Sequence, residues 1–269
     1  MASILNNVPA ISAQRNLAGS QRGLNDTINR LSTGLRINKA SDDAAGLQIS
    51  NNLRADIRIL GQAERNAQDA IGRLSVVDGI STEAVNLLTR AAELSEQAAS
   101  GTTSSAGRVA LNSEFTEIKT ALDALQTNVR FDGTSVFGRS FTARVGELSS
   151  ETVTVSSFNI DSASLGVAST SNLLTSNSAS TALSQVTSAI ENVSSFLGTV
   201  GAKSQRLNTI VNALSLTREN ITAAESQIRD ADVASEVVNL TKFQILNQSG
   251  VSALAQANQS AQSVLSLLG

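Results

Sequence analysis

Apolar residues recur along this chain at alternating intervals of three and four, most regularly between Leu183 and Ile228. There the line runs Leu183, Val186, Ile190, Val193, Leu197, Val200, Ser204, Leu207, Val211, Leu214, Arg218, Ile221, Glu225 and Ile228, and only Ser204, Arg218 and Glu225 interrupt its apolar character. A 3-4 alternation is the heptad seam of a coiled coil. The stretch predicts a single helix, roughly 70 Å long at about 1.5 Å per residue. A helix with one narrow apolar seam cannot bury it alone, so it must lie along other helices of the same repeat.

Other stretches supply those helices. Between Ala44 and about Ser100 the seam reads Leu53, Ile57, Leu60, Glu64, Ala67, Ile71 and Leu74, then resumes at Leu87, Ala91, Leu94 and Ala98. After a turn over Gly101–Gly107, a third helix carries Leu111, Phe115, Ile118, Leu122, Leu125 and Val129. Both chain ends carry shorter seams. Residues 3–35 present Ile4, Ile11, Leu17, Leu24, Ile28, Leu31 and Leu35; the other end presents Val233, Val237 and Leu240, then Val251, Leu254, Asn258, Ala261, Leu265 and Leu268 before Gly269. Pro9 falls where a helix tolerates proline, in its first turns. Gly19 and Gly23 each weaken the first helix by about 1 kcal/mol relative to Ala.

Two segments break the helical period. Residues 34–39 read as a linker, with Ser41 as the expected N-cap of the next helix and Asp42 and Asp43 where a helix N-terminus favours anions. After Arg130, Phe131-Asp132-Gly133-Thr134 is a turn signal, and Phe141, Ala143, Val145, Val153 and Val155 alternate with polar residues, which predicts a β-hairpin. Residues 156–182 are rich in Ser, Thr and Asn without a period and read as a solvated loop, or as a scaffold for O-glycans. The expected fold is therefore mainly α: a long antiparallel coiled-coil helical rod with a small β-hairpin insert.

Composition narrows the chemistry. The 269 residues include no His, Cys, Trp or Tyr and one Pro. Without Cys there are no disulfides, thiolate nucleophiles or soft metal ligands. Without His the usual general base and the commonest transition-metal ligand are missing, and a zinc-binding HExxH helix is excluded. The formal charge of −3 offers nothing to a phosphate backbone, so no nucleic-acid partner is expected. No apolar run is long enough for a membrane span. The start, Met1-Ala2-Ser3-Ile4-Leu5-Asn6-Asn7, lacks the basic and apolar regions of a cleavable signal peptide. The pairs Asp42–Asp43 and Asp230–Asp232 read as helix caps and linker carboxylates, not as a catalytic or Ca²⁺ site. Six Asn-x-Ser/Thr sequons fall in predicted helices and read as chance. No enzyme activity and no cofactor are expected.

Three separated stretches then carry a family resemblance. Leu31–Ser50 (LSTGLRINKASDDAAGLQIS) resembles the N-terminal signature of bacterial flagellin; Glu219–Asp232 (ENITAAESQIRDAD) and Gln256–Leu268 (QANQSAQSVLSLL) resemble its C-terminal signature. The resemblance covers nearly 1–140 and 185–269. It implies a terminal-helix domain made of 1–44 and 233–269. It also implies a rod domain made of helices in 45–140, the hairpin and loop insert in 141–182 and the long helix in 183–232, with the outer domains of longer flagellins absent. It implies a structural subunit that polymerises with itself into the extracellular flagellar filament for motility. Export would be in an unfolded state through the flagellar type III apparatus, and the terminal helices would order on assembly. An export chaperone, a filament cap and hook-associated proteins are the implied partners. The polymerisation residues would be Ile4, Ile11, Leu24, Ile28, Leu31, Leu35, Val251, Leu254, Leu265 and Leu268. Arg90, Leu94 and Glu114 match positions through which the family meets the host Toll-like flagellin receptor. The competing readings are a hook–filament junction protein and a secreted coiled-coil signalling ligand.

Overall fold

The computed structural model of the chain describes residues 7–167 and 170–266. Its helices are α1 (Val8–Thr33), α2 (Ala44–Ala99), α3 (Ser105–Asn128), α4 (Ser176–Arg229) and α5 (Val233–Ser266). Between α3 and α4 lie two antiparallel hairpins, β1 (Arg130–Phe131) with β2 (Thr134–Ser135), and β3 (Phe141–Arg144) with β4 (Thr152–Val155). The chain forms two compact units. One takes the residues up to Ala55 together with those from Asn220 on; the other is Asp56–Glu219. The long helices α2 and α4 contribute to both.

In the second unit the buried line of α2 is Leu60, Ala63, Ala67, Ala70, Leu74, Val77, Ser81, Ala84, Leu88, Ala91, Ser95 and Ala98, an unbroken 3-4 alternation. The expected seam agrees at Leu60, Ala67, Leu74, Ala91, Leu94 and Ala98, but Ile71 and Leu87 are only half-buried. The apparent gap between Leu74 and Leu87 is filled by Val77, Ser81 and Ala84. Small residues in a seam let neighbouring helices approach closely, and a search for large apolar side chains passes over them. On α4 the buried residues are Ala179, Ala182, Val186, Ala189, Val193, Val200, Leu207 and Leu214, a 3-4 alternation as far as Val193 that then recurs every seven residues. Leu183, Ile190, Leu197 and Val211 flank that line half-buried. The two helices run antiparallel: Ser176 Oγ donates to Ala99 O (2.7 Å) at one end, and Arg218 pairs with Glu64 (3.1 Å) at the other.

Helix α4 begins at Ser176, seven residues before the expected Leu183. Thr175 caps it, its Oγ1 accepting from the Ser178 N–H at 3.1 Å. Ala179 and Ala182 continue the seam backwards at 0% and 1% exposure. Their methyl groups are the whole apolar signal, so the segment reads as polar loop in sequence.

Helix α3 starts at the Ser104 cap, whose Oγ accepts from Gly107 N, and it buries Phe115, Ile118 and Leu122. Asp132 (φ 48°) and Gly133 (φ 70°) both take the left-handed conformation between β1 and β2. That is the geometry a two-residue hairpin turn requires, and Asp-Gly suits it. In the second hairpin Phe141 opposes Val155 and Ala143 opposes Val153. Ala143, Val145, Val153 and Val155 are buried on the core side, as the alternation predicts.

Residues 156–175 differ from the solvated loop expected. Side chains of α3 hold their backbone: Gln126 Oε1 accepts from Ile160 N (2.9 Å), Asp123 Oδ1 from Ser162 N (2.8 Å) and Asn112 Oδ1 from Leu173 N (2.9 Å). Lys119 Nζ donates to Ser171 O at 2.9 Å. With these backbone groups bonded, the segment buries Ile160, Leu165, Val167 and Leu173 in the core. Phe158 stacks on Phe196 of α4 with ring centroids 4.1 Å apart.

Candidate functional site

The terminal helices pair in the first unit. Asn7 starts α1, its side chain accepting from Ala10 N, with Pro9 in the first turn. Gly34 ends it in the left-handed conformation (φ 71°), donating to Arg30 O. Asp232 starts α5, with Oδ1 accepting from Ala234 N at 3.0 Å. The two helices are antiparallel: Arg30 pairs with Glu236 (3.2 Å) at one end, and Asn7 Nδ2 donates to Ala257 O (3.0 Å) at the other. Gly23 sits under the Phe243 ring, where a Cβ would lie 2.6 Å from Cε1, and a Cβ on Gly250 would lie 3.2 Å from Cδ1 of Leu17. Gly23 and Gly250 thus make room for a large side chain of the partner helix, whereas Gly19 faces open space.

The expected apolar seams are displaced from this contact. The inner line of α1 is Ala10, Ala13, Leu17, Ser20, Leu24, Thr27 and Leu31; that of α5 is Glu236, Leu240, Phe243, Asn247, Gly250, Leu254 and Ala257. Leu24, Leu31, Leu35 and Leu254 are half-buried as part of it or beside it. Ile11 (49% exposed), Ile28 (47%) and Val251 (53%) instead point away, as do Val233 and Val237. The pair mixes Leu and Phe with small and polar residues, and many other aliphatics of both helices remain uncovered. Val8, Val238, Ile245 and Leu246 are exposed in the same way. A groove of about 450 Å³ runs between the helices, lined mostly by small residues such as Ser12, Ala13, Ser20, Ser249, Gly250 and Ala253. Ile4, the Leu265 side chain and Leu268 lie outside the described residues.

The linker to α2 also differs from expectation. Asp43, not Ser41, caps α2: its Oδ1 accepts from Gly46 N at 2.9 Å. Asp42 instead closes the preceding turn, one oxygen accepting from Lys39 N (3.0 Å) and Asn38 N (3.1 Å). Those two donors hold its carboxyl below the usual carboxylate range. Sequence reasoning missed Glu236, buried beside Arg30, and Arg36, which bonds the end of α4; in sequence both resemble ordinary surface charges.

In the second unit Arg90 and Glu114 lie side by side on the surface, Nε to Oε1 at 2.8 Å, with Glu93 at 3.0 Å on the other side of the guanidinium. Glu114 first and Glu93 second raise the Arg90 pKa. Leu94 is 1% exposed. It is a core residue under that surface. Arg73 lies over the Phe141 ring (4.4 Å) and donates to Ser135 O, and burial lowers its pKa. Lys119 is lowered for the same reason.

Among the described residues there is no group of acidic side chains fit to hold a metal, and no helix is long and apolar enough to cross a membrane. Long heptad helices around a small-residue core, with terminal helices whose apolar faces stay open, define a helical structural protein. The bacterial flagellin N-terminal helical region matches residues 4–142, and the bacterial flagellin C-terminal helical region matches 183–268. The flagellar filament 33 kDa core protein of Treponema phagedenis is 36% identical over 286 aligned residues, covering 98% of this chain and 99% of its own. The flagellin of Halalkalibacterium halodurans is 35% identical with the same coverages. The crystal structure of Bacillus cereus flagellin superposes with a TM-score of 0.51 at 27% identity, covering 60% of this chain and 94% of that one. The chain belongs to the bacterial flagellin family.

Proposed function

We propose that the chain is the repeating structural subunit of an extracellular flagellar filament, and that copies join through the uncovered faces of α1 and α5. The observation that carries this is the row of exposed aliphatics on the paired helices, from Val8, Ile11 and Ile28 to Val238, Ile245 and Val251. Such a surface is unusual on a protein that remains a monomer. The relatives named for the flagellar filament cover this chain almost from end to end. Contacts between unlike patches that do not close into a ring generate an open helical polymer. In this reading residues 1–44 and 233–269 form the terminal-helix domain through which copies join, and 45–232 the rod domain. An export chaperone, a filament cap and hook-associated proteins complete the set of partners.

The test uses Ile245→Asp, at a site 64% exposed in the single chain, alongside deletion of Val251–Gly269. Both are expected to abolish sedimentable filaments while circular dichroism shows the Asp56–Glu219 unit still folded. Filaments of Ile245→Asp and of the truncated chain in wild-type yield would overturn the assignment.

The same proposal extends to the host receptor. Arg90 and Glu114 are solvent-facing and could meet it, whereas Leu94 would act by holding Arg90 from below. Arg90→Ala should lower receptor signalling in reporter cells without shifting the melting temperature, since solvent screens an ion pair this exposed. Unchanged signalling would remove the site.

A further inference from the structure

Charge is segregated along the Asp56–Glu219 unit. Residues 74–128 and 156–200, grouped toward the Ala99 end, hold nine acidic and three basic side chains. Residues 56–73, 129–155 and 201–219, grouped toward the Asp56 end, hold nine basic and seven acidic ones. Contacts within the unit set these groupings. Arg90 meets Glu114, and Ser176 Oγ meets Ala99 O, in the first half. Asn66 Nδ2 donates to Arg144 O (3.1 Å), and Arg218 pairs with Glu64, in the second.

The three bases of the acidic half are already engaged. Arg90 lies between Glu93 and Glu114, Arg108 donates to Ala98 O and Ser100 O, and Lys119 donates to Ser171 O. Asp78 and Glu83 are exposed on α2, and among the described residues neither is paired with a cation. Arg58 and Arg65 are exposed near the other end of the unit, and neither is paired with a carboxylate. The bond from Asn66 to Arg144 O brings β3, with its own exposed arginine, against the Arg65 turn.

Like charges facing each other across an interface are costly, and opposite charges fix register. Two parallel copies with their α2 helices level would set Asp78 and Glu83 beside the same carboxylates of the neighbour. A slide of about 20 residues along α2, about 30 Å, brings Arg58 level with Asp78 of the next copy and Arg65 near the level of its Glu83. An antiparallel pair would also match the two halves, but it would close on itself, whereas the parallel slide leaves an open patch on each end copy and continues.

We propose that the Asp56–Glu219 unit carries a second contact between copies, in which the basic half of one unit, through Arg58 and Arg65, lies along the acidic half of the next, through Asp78 and Glu83. This rests on the reading of the chain as a filament subunit. It adds to the α1 and α5 faces a surface that sets the polarity and stagger of neighbouring copies.

The test measures the critical concentration for seeded elongation of the full-length chain, with circular dichroism to confirm that each variant is folded. Arg58→Glu with Arg65→Glu should raise it about tenfold, and so should Asp78→Lys with Glu83→Lys, because each pair of substitutions sets like charges against each other. The chain carrying all four substitutions should return to within about threefold of wild type, since its two patches are again complementary. An equimolar mixture of the two double variants should co-sediment in filaments at concentrations where neither does so alone. Double variants that elongate like wild type, or a fourfold variant no better than either double variant, would overturn the inference. Ile245→Asp separates it from the α1 and α5 reading. Filaments lost in Ile245→Asp but kept in both double variants remove only the rod contact, and the reverse result removes only the α1 and α5 contact. Wild-type chains that stop at a closed dimer would overturn both.

Discussion

Two glycines of α1, four residues apart, should respond in opposite directions to the same substitution. A Cβ built on Gly19 meets nothing within 4 Å, whereas one on Gly23 lies 2.6 Å from Cε1 and Cζ of Phe243. At either site Ala should strengthen the helix by about 1 kcal/mol through propensity. At Gly23 the aromatic ring must retreat by roughly 1 Å to regain an ordinary carbon–carbon separation. Overpacking of this kind costs about 1–3 kcal/mol. Gly19→Ala is therefore expected to stabilise the α1–α5 pair by about 1 kcal/mol, and Gly23→Ala to leave it unchanged or weaken it by up to about 2 kcal/mol. The assay is amide exchange of the α1 residues in the intact chain, where the two variants should differ by about five- to 150-fold in opening equilibrium. Phe243→Leu in the Gly23→Ala background should restore part of the loss by withdrawing the ring. Equal protection in the two single variants would refute the packing of Phe243 over Gly23.

Other expectations follow from single environments. Val193→Asp places a carboxylate at a site 0% exposed and should cost several kcal/mol, read as a lower melting temperature by circular dichroism; Leu216→Ala, 60% exposed, should leave the single chain within about 0.5 kcal/mol of wild type. The Ser81 hydroxyl is fully buried and unbonded, so Ser81→Ala should stabilise by about 1 kcal/mol in denaturant unfolding. Asp42 has a depressed carboxyl pKa in the folded state. Its stabilising contribution is therefore present above the unfolded value near 4 and is lost as pH falls through the lower folded value. Acid titration should speed amide exchange at Asn38 and Lys39, and Asp42→Asn should flatten that acid response.

The sequence by itself determined much of this protein. Recurring heptads, one proline and the lack of His and Cys fix long helices, an aliphatic core and the absence of the common catalytic side chains. The Asp132-Gly133 turn and the alternation around Phe141 and Val153 fix the hairpins, because φ and pleat are local properties. Three separated signatures fix the family. The tertiary structure decided which of two adjacent helix faces is inside. Ile28 and Thr27 lie 100° apart on α1, and hydrophobicity favours Ile28. The structure turns Thr27 inward, on the Gly23 face that receives Phe243, and leaves Ile28 uncovered. It also decided that Ala179, Ala182, Ser81 and Ala84 carry the seam, since close approach depends on the partner helix and not on the residue's own hydrophobicity. The hydrogen bond from Arg36 to Ile228 O was beyond the sequence for the same reason. A hydrogen bond between residues 192 apart leaves no local pattern, and only the folded chain brings its two halves together.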